Sequence, residues 1–549
     1  MAPGPVPSLV LRNGVIATMD AVRLEAEAVA MAGDRIVAVG SNGEIEARVG
    51  PGTEVIDLDG AFAMPGFTEG HGHLMGLGRS LMRLRLLGSR SWGEVVAQVG
   101  EAARTTPKGE WILGRGWHQD AWEAVPQPSV EGLPLHYGLS EAAPDHPVLL
   151  RHASGHSVLA NAKAMELAGI DRDTESPPTG RIVRDADGEP TGAFLEAAAG
   201  LVEEAYHEAM AALSDAERER LLRRQVEFAT AECLARGVTS FHVAGASLAT
   251  IELFRKVADE GGLGIRLYVM TTASDHELRE ALPELRLVGH ADHRLTVRGI
   301  KRFIDGALGT RTAWMLQPYA DQPGNAGLCM TEPDAIEATC RLAVEHGMQM
   351  CVHAIGDRAN REMLDVYERV FRDHPQATDL RWRIEHAQHL HPDDIPRFAR
   401  LGVIAAMQAN HCTTDGAYAI AALGERRARQ GTYAWRSLLD AGATLVNGTD
   451  APVEPVDPLT SLHAAVTRRL ADGSAFFPEQ CMTRAEALRC YTLDAACAAF
   501  EEDLKGSLVP GKLADLVVLD RDLRACDEDE ILATEVVRTV VGGVAHPSF

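Results

Sequence analysis

Two histidines one residue apart, His71 and His73, follow the apolar run 62–67. In an extended chain, residues i and i+2 point to the same side, so a strand here would place both imidazoles on one face, at most about 7 Å apart. Two ring nitrogens placed in this way can bind one metal ion. The same short motif also arises by chance in a polar loop with two solvated histidines, so its meaning depends on the rest of the chain.

Four more residues that can bind metal or carry protons stand at the ends of apolar, β-rich segments: Lys301, His353, His386 and Asp450. Taken singly, each has an ordinary structural explanation. A histidine at a strand end is often only hydrogen-bonded at the rim, a lysine can extend its stem along apolar surface, and an aspartate can cap a helix. Other histidines compete for the same roles, namely His242, His389, His391 and His411.

The elements that would position these residues alternate between strands and helices. Eight segments have strand character: 62–67, 237–241, 265–270, 297–304, 348–352, 382–385, 403–407 and 444–447. Amphipathic helical stretches such as 216–235 and 333–345 separate most of them. Eight such units predict a closed (β/α)8 barrel of the α/β class, whose active sites lie at the carboxyl ends of the strands.

The two ends of the chain share a different pattern of short strands and tight turns. We expect residues 1–60 and 505–549 to form one β-sandwich domain, and residues 61–504 to form the barrel domain. Residues 74 to about 215 are too many for a simple loop between the first two barrel strands. They are interpreted as an insertion, rich in Trp, Arg and His, that caps the mouth of the barrel.

Composition narrows the classes of function. The chain has 549 residues, 46% of them hydrophobic and 24% charged, and a formal net charge of -25. Such a charge argues against nucleic acid and anionic membranes as partners. The nine cysteines form no C-x-x-C pair and are expected to be reduced. The sequence shows no signal-peptide pattern and no apolar run long enough to span a membrane, so the expected location is the cytoplasm. A homodimer is left open.

Several longer motifs resemble those of the metal-dependent amidohydrolase superfamily, and within it the YtcJ-like branch of amidohydrolase family 3, which includes N-substituted formamide deformylases. The resemblance extends over nearly the whole chain. The motifs are MPGF (64–67), GRGWHQD (114–120), GEPTG (188–192), DGALGTRTA (305–313), HAIGD (353–357), RIEH (383–386) and GSLVPGKLADL (506–516).

The resemblance implies a role for each strand-end residue. His71, His73 and Asp450 would bind one metal ion, and His353 and His386 a second, with Lys301 bridging the two as a carbamate. Imidazole and carboxylate ligands without thiolates favour Zn²⁺, as one or two ions. Asp450 would carry the proton from water to the leaving amine, and His386 would help to polarise the carbonyl.

One position departs from the family pattern. Glu69 stands where relatives commonly carry aspartate, and we expect its carboxylate to orient a ligand imidazole.

Substrate contacts are expected from the insertion and from the segment after the fourth strand. The candidates are Trp117, His156, Asp305 and Arg311, with Trp122, His152 and Trp314 beside them. Ordinary packing or a surface ion pair would explain each of them equally well.

The predicted function is hydrolysis of the C–N bond of a small N-substituted amide or formamide by a metal-activated water. Alternatives on the same site are a cyclic amide, a urea, a carbamate or an ester. A non-catalytic regulatory or binding protein of the same fold also stays open.

Overall fold

The computed structural model describes residues 5–547, which divide into two compact units. Among these residues, one unit combines 5–77 with 229–547, and the other consists of 78–228. Within the described range, no helix has the length and apolar character needed to span a bilayer. All nine cysteines are free, which agrees with the expectation of reduced thiols.

The larger unit contains the predicted barrel. Its eight strands pair in parallel in chain order, and residue contacts between the last strand and the first bring the two edges together. In that order, which also numbers them below, the barrel strands are Phe67–Gly72, Val238–Ala246, Arg266–Thr271, Leu295–Phe303, Gln349–Ala354, Arg383–His386, Ile404–Gln408 and Leu445–Gly448. The prediction of an α/β fold with a (β/α)8 barrel is confirmed.

The first barrel strand differs from its prediction. The run 62–67 is not one strand, because it divides at Gly66. Phe62–Pro65 pairs with Leu516–Leu519 in a sheet of the chain termini, and a new strand then begins at Phe67. A Cβ at Gly66 would lie 2.2 Å from a methyl carbon of Thr239, so only glycine fits this crossing point. His71 therefore lies within barrel strand one rather than after it.

Strands from both chain ends form two sheets around a shared core. The strands of one sheet, in spatial order, are Arg35–Gly40, Ala28–Ala32, Leu9–Arg12 and Glu54–Asp57. Those of the other are Val544–Pro547, Val536–Val541, Leu516–Leu519, Phe62–Pro65, Val15–Ala17 and Glu25–Ala26. The turn at Asn13, with φ of 57°, sends the chain from one sheet to the other.

Helices follow most barrel strands and cover the outside of the barrel. Those of ten residues or more in the barrel region are Leu248–Asp259, Asp275–Leu285, Pro333–Glu345, Asp357–Asp373, Ala409–Leu423 and Pro458–Thr467. Shorter helices are Ile395–Leu401, Glu425–Gly431, Trp435–Asp440, Arg484–Cys490 and Leu493–Ala498. The helices predicted at 333–345 and 216–235 are observed as Pro333–Glu345 and Asp215–Ala235.

The smaller unit has its own sheet and core. The six strands of this sheet, in spatial order, are Gly180–Arg184, Pro190–Glu196, Ser157–Ala160, Val148–His152, Ile112–Trp117 and Leu84–Arg85. Its helices include Trp92–Thr105, Tyr137–Ala142, Ala162–Leu167 and Ala199–Ala211. Its position over the barrel mouth stays a prediction.

A buried ion pair joins barrel strand three to the terminal sheets. Arg266 Nε and Nη2 lie 2.6 and 2.9 Å from the carboxylate oxygens of Asp515, and the Gly542 N–H donates to the same carboxylate at 2.8 Å. Burial alone would raise the pKa of Asp515, but the adjacent guanidinium outweighs it and holds that pKa below its usual value. The pair therefore contributes stability at neutral pH only as long as both partners are charged.

We expect Asp515→Asn to lower the free energy of unfolding by about 3–5 kcal/mol, because Arg266 keeps its buried charge without a partner. Urea denaturation at pH 7 measures this loss. Asp503→Asn, at an exposed aspartate, is the control and should change the free energy of unfolding by less than about 0.5 kcal/mol. The pKa of Asp515 is lower in the folded state than in the unfolded chain, where it is about 4. The difference in stability between the unaltered protein and Asp515→Asn therefore shrinks as the pH falls below about 4. Equal stability of the two variants would contradict this account.

Candidate functional site

The site lies where barrel strands one and eight meet, at their carboxyl ends. The Asp450 N–H donates to the His71 carbonyl at 2.8 Å, and the His73 N–H donates to the Ala451 carbonyl at 2.7 Å. The buried Glu69 carboxylate accepts from the backbone N–H of His71 at 3.1 Å and from the Thr449 N–H at 2.7 Å. These bonds hold the two strand ends in a fixed register.

Glu69 therefore has a different role from the one expected. It binds backbone groups and the Thr449 hydroxyl, at 2.9 Å, rather than a ligand imidazole. Burial raises the pKa of Glu69 to about 8. The expectation that this side chain orients a histidine ring is wrong, because its oxygens are used in joining the two strands.

Three of the predicted metal-ligating side chains converge. His71, His73 and Asp450 each offer a ligand atom, and these atoms lie within 4.8 Å of one another. Nε2 of His73 is 3.1 Å from Asp450 Oδ1, and Nε2 of His71 is 3.6 Å from the same oxygen. His71 is buried, whereas His73 is partly exposed, so the group opens to one side.

A buried carboxylate from barrel strand six orients His71. Glu385 Oε2 contacts His71 Nδ1, and the same carboxylate accepts from Arg383 Nε at 2.7 Å. Burial alone would raise the pKa of Glu385, but the charge of Arg383 and the hydrogen bond from His71 hold it well below its usual value. An ionised Glu385 accepts the Nδ1 proton of His71, which leaves Nε2 of that ring unprotonated.

The donor atoms of this group suit a cation. His71 Nε2 and Asp450 Oδ1 are buried and form no hydrogen bond, although they face each other. An unprotonated ring nitrogen and a carboxylate oxygen both carry lone pairs, so they repel unless a positive charge lies between them. Burial lowers the pKa of His71 to about 4, so its ring is neutral at pH 7 and suited to binding metal. The residues present therefore fit a divalent metal ion.

His386, His353 and Lys301 lie next to this group. The His386 ring centroid is 4.8 Å from that of His71 and 4.6 Å from that of His353. His386 Nδ1 lies 2.7 Å from Gln408 Oε1, and His353 Nε2 lies 3.2 Å from the Gly306 carbonyl. Burial lowers the pKa of His353 to about 3 and also lowers the pKa of Lys301. All six predicted residues thus gather at the strand ends, while their binding of metal stays a prediction.

A second group of donor atoms contains His411. Ligand atoms of His386, His411 and Asp450 also lie within 4.8 Å of one another. The sequence treats His411 only as a competitor of the predicted ligands, yet the structure brings it to the same site. The other competitors lie elsewhere in hydrogen-bonded positions: His242 Nδ1 accepts from Arg383 at 3.0 Å, and His389 Nδ1 lies 3.0 Å from the Thr432 hydroxyl.

The backbone is strained at two residues of the site. Asp450 has φ of 57° and His386 has φ of 75°, in the left-handed region that disfavours residues with a Cβ. Such a conformation costs about 1–3 kcal/mol and persists only where the surroundings enforce it. In this enforced backbone conformation, both side chains place their ligand atoms in the same group.

Two predicted substrate contacts after barrel strand four have partners within the protein, and their contact with a substrate stays a prediction. Asp305 is buried and accepts from the backbone N–H groups of Trp314, Ile355 and Gly356 at 2.8–3.0 Å. Burial raises its pKa to about 7. Arg311 Nη2 lies 2.6 Å from the carboxylate of Asp321, so its guanidinium is already paired. Asp305 therefore organises the loops around His353, from which it lies 3.5 Å away.

The two candidates in the smaller unit differ in exposure. Trp117 is 1% exposed, packs in the core of that unit and donates its indole N–H to the Leu150 carbonyl at 2.9 Å. Its contact with a substrate stays a prediction. His156 is exposed and lies 3.1 Å from Glu196, and its contact with a substrate stays a prediction.

Sequence reasoning missed Glu385 and Gln408 as partners of the histidines. One signal was available for Glu385, because Arg383 and Glu385 are charged residues at alternate positions of a strand expected to be buried. Charges in such places need partners. No pattern of local spacing pointed to Gln408, which meets His386 only through the pairing of neighbouring strands.

Comparison with known proteins agrees with this geometry. A model of the amidohydrolase family matches residues 54–545. The chain is 33% identical to the protein LONG AFTER FAR-RED 3 of Arabidopsis thaliana, covering 98% of this chain and 91% of that protein. It is 31% identical to YtcJ of Bacillus subtilis, which is named as an amidohydrolase, covering 97% and 98% of the two chains.

Two further relatives concern activity and fold. The N-substituted formamide deformylase of Arthrobacter pascens is 29% identical over 98% of this chain and 97% of its own. A crystal structure of a metal-dependent hydrolase from Pyrococcus furiosus superposes with a TM-score of 0.70 at 29% identity, covering 94% of this chain and all of that one. The predicted amidohydrolase resemblance is confirmed, and the chain belongs to the amidohydrolase family of hydrolases.

Proposed function

We propose that the protein is a metal-dependent hydrolase that cleaves the C–N bond of a small N-substituted amide, with formamides as the first class to test. The observation that carries the proposal is the buried pair of unpartnered acceptors, His71 Nε2 and Asp450 Oδ1, beside His73. The similarity to a formamide deformylase over almost the full length supports the choice of substrate class.

His71, His73 and Asp450 would hold the cation. Two imidazoles and a carboxylate, without a thiolate in the group, form the donor set typical of catalytic Zn²⁺ sites, which leave one position open. A divalent cation in such a site polarises a carbonyl oxygen and lowers the pKa of water. The partial exposure of His73 is consistent with an approach for substrate from that side.

Asp450 is the group best suited to move the proton. Burial alone would raise its pKa, but the contact with His73 holds the pKa far below its usual value, so the carboxylate is ionised at pH 7. It would accept a proton from the attacking water and return it to the amide nitrogen, which leaves poorly unless protonated. Its positive φ fixes the carboxylate against His73, so little reorientation is needed.

His386 is better suited to bind a cation than to donate to the carbonyl. Its Nδ1 donates a hydrogen bond to Gln408 Oε1. The orientation of the Gln408 amide is supported by its Nε2, which donates to the Ala406 carbonyl at 3.2 Å. The remaining ring nitrogen, Nε2, is therefore an acceptor. The predicted role in polarising the substrate carbonyl would need a second proton on this ring.

Lys301 is proposed to form a carbamate with CO2. Its amine is buried, and burial lowers its pKa, which favours the neutral, nucleophilic form. We expect the metal content of protein reconstituted without CO2 to fall, and bicarbonate to restore it. Atomic absorption measures the content, and Lys301→Met should show no response to bicarbonate. Equal metal content with and without bicarbonate would contradict the carbamate.

The decisive test combines metal analysis with amine release from a panel of amides, ureas, carbamates and esters. The double variant His71→Ala/His73→Ala is expected to lose both bound metal and hydrolysis. His391→Ala, which changes a partly exposed histidine outside the site, should retain both. Activity that survives the double replacement would refute the proposal, and product identification would separate a formamide from the other substrate classes.

A further inference from the structure

We propose that the substrate is an amide with an apolar acyl group larger than formyl, and that this group binds in a side cavity bounded by Phe303. The inference rests on the proposed function and deepens it, because it names the part of the substrate that determines specificity. A formamide carries only hydrogen on its carbonyl carbon, so it would leave this cavity empty and should be a poor substrate.

Phe303 lies in the same layer of the barrel interior as His353. The two residues are paired in register on neighbouring strands, and Phe303 is two positions after Lys301, so its side chain shares the inward face of strand four. Its ring centroid is 5.4 Å from that of His353 and 5.0 Å from Lys301 Nζ. The residue is nevertheless 39% exposed. An exposed aromatic ring beside a polar site is available to pack against an apolar part of a ligand.

A cavity of about 310 Å³ adjoins the site at the ends of barrel strands three and four. Lys301 and Phe303, which contact each other beside His353, are part of its lining, so the cavity and the site are neighbours. The gap arises because the pairing of these two strands ends at Thr271 and Ile300, while strand four continues to Phe303. A cavity of about 150 Å³ can hold benzene, so this one has room for a phenyl or branched alkyl group.

The charged groups that line this side cavity are paired with each other. Arg302 Nη2 lies 2.7 Å from a carboxylate oxygen of Asp275, and the Thr339 hydroxyl donates to the same oxygen at 2.8 Å. A charged ligand would have to compete with this ion pair. An apolar group would instead pack on Phe303 and Ile336, which also line the cavity, and would be removed from water.

The position of Phe303 relative to Asp450 decides which end of the amide lies there. Asp450 follows barrel strand eight, and the strand order places strand eight across the closed barrel from strand four. The ring of His386 lies between those of His71 and His353, at centroid distances of 4.8 and 4.6 Å, and the ring of Phe303 follows that of His353. Asp450 is proposed to return a proton to the amide nitrogen, so the amine end lies near Asp450. The acyl end is therefore directed towards Phe303.

The test compares two series of amides, one with a constant amine and formyl, acetyl, butyryl or phenylacetyl groups, and one with a constant acyl group and amines of increasing size. We expect kcat/KM to rise by about fourfold for each acyl methylene that becomes buried, and to change less with the amine. Ala335→Phe fills the cavity from the helix Pro333–Glu345 and should bring the ratio of kcat/KM for phenylacetyl to formyl close to one. Ala338→Phe, at an exposed alanine of the same helix outside the cavity lining, is the control and should keep the ratio of the unaltered protein.

A second readout does not depend on turnover. Titration calorimetry compares phenylacetate with acetate, the carboxylate products of two of these amides, and we expect phenylacetate to bind about 10-fold or more tightly to the unaltered protein. Ala335→Phe should remove this difference. Should that variant fail to fold, Phe303→Ser is expected to remove it as well, whereas Phe303→Leu keeps an apolar side chain and should retain part of it.

The outcomes separate this inference from the proposed function. Amide hydrolysis with equal kcat/KM across the acyl series, or a preference that follows the amine instead, would overturn the inference and leave the proposed function intact. An acyl preference that survives in both Ala335→Phe and Phe303→Ser would overturn the role of the cavity. Tight binding of phenylacetate without hydrolysis of any amide would support the cavity and refute the proposed function, and absence of both would overturn both.

Discussion

Asp450→Asn is expected to lower kcat/KM for the amide substrate by about 10³-fold or more. A positioned acid–base group contributes about 10²–10⁴-fold, and this one also ligates metal, so two contributions are lost together. The amide that replaces the carboxylate cannot accept and return a proton at neutral pH. It also removes the negative charge that His71 and His73 face at 3.6 and 3.1 Å.

Two measurements separate the contributions to this loss. Metal analysis of Asp450→Asn gives the occupancy, and kcat/KM measured at saturating Zn²⁺ gives the loss that remains when the cation is supplied in excess. Asp393→Asn, at an exposed aspartate outside the site, provides the control and should leave both quantities unchanged. A fully metallated Asp450→Asn with unaltered kcat/KM would refute the assignment of the proton carrier.

The sequence predicted most of the barrel because its signals are local. Each buried strand is a short apolar run bounded by turn residues, and a helix follows most of them. The first strand was predicted incorrectly for a reason that no local pattern reveals. The close approach of Thr239 at Gly66 divides one apolar run between two sheets, and that contact joins residues far apart in the chain.

The candidate site also shows that local sequence patterns do not predict contacts between distant residues. His71, His73 and Asp450 could be predicted because strand ends of a barrel meet at one rim. The partner of His71 could not, since Glu385 is 314 residues away and Glu69 was the nearer candidate. Arg311 also illustrates the difficulty, because its pairing with Asp321 depends on how one loop folds back on itself. Side-chain partners of this kind follow from tertiary packing.

Glu385→Gln is expected to weaken metal binding by about 10–100-fold, the usual effect of removing the group that orients a ligand histidine. With the carboxylate present, Nδ1 of His71 keeps its proton and Nε2 is left free to bind. A neutral amide removes this preference. It also leaves the Arg383 charge, buried in the barrel, without its counter-ion, which should lower the free energy of unfolding by about 3–5 kcal/mol.

Glu69→Gln is the matched control for this variant. Both residues are buried glutamates next to His71, but Glu69 binds the backbone of that residue and Glu385 binds its ring. Burial raises the pKa of Glu69 to about 8, which favours the neutral form, and a glutamine keeps an oxygen that can accept from the same backbone N–H groups, so metal affinity should change little.

The readouts should distinguish an orienting role from a purely structural one. Competition titration with a zinc chelator gives the metal affinity, and ¹⁵N spectra of histidine-labelled, metal-free protein report which nitrogen of His71 carries the proton. We expect Glu385→Gln to change that proton position and Glu385→Asp to restore it in part, because aspartate keeps the charge that Arg383 requires. An unchanged tautomer with unchanged zinc affinity in Glu385→Gln would mean that Glu385 stabilises the barrel through Arg383 alone, and that another group orients His71.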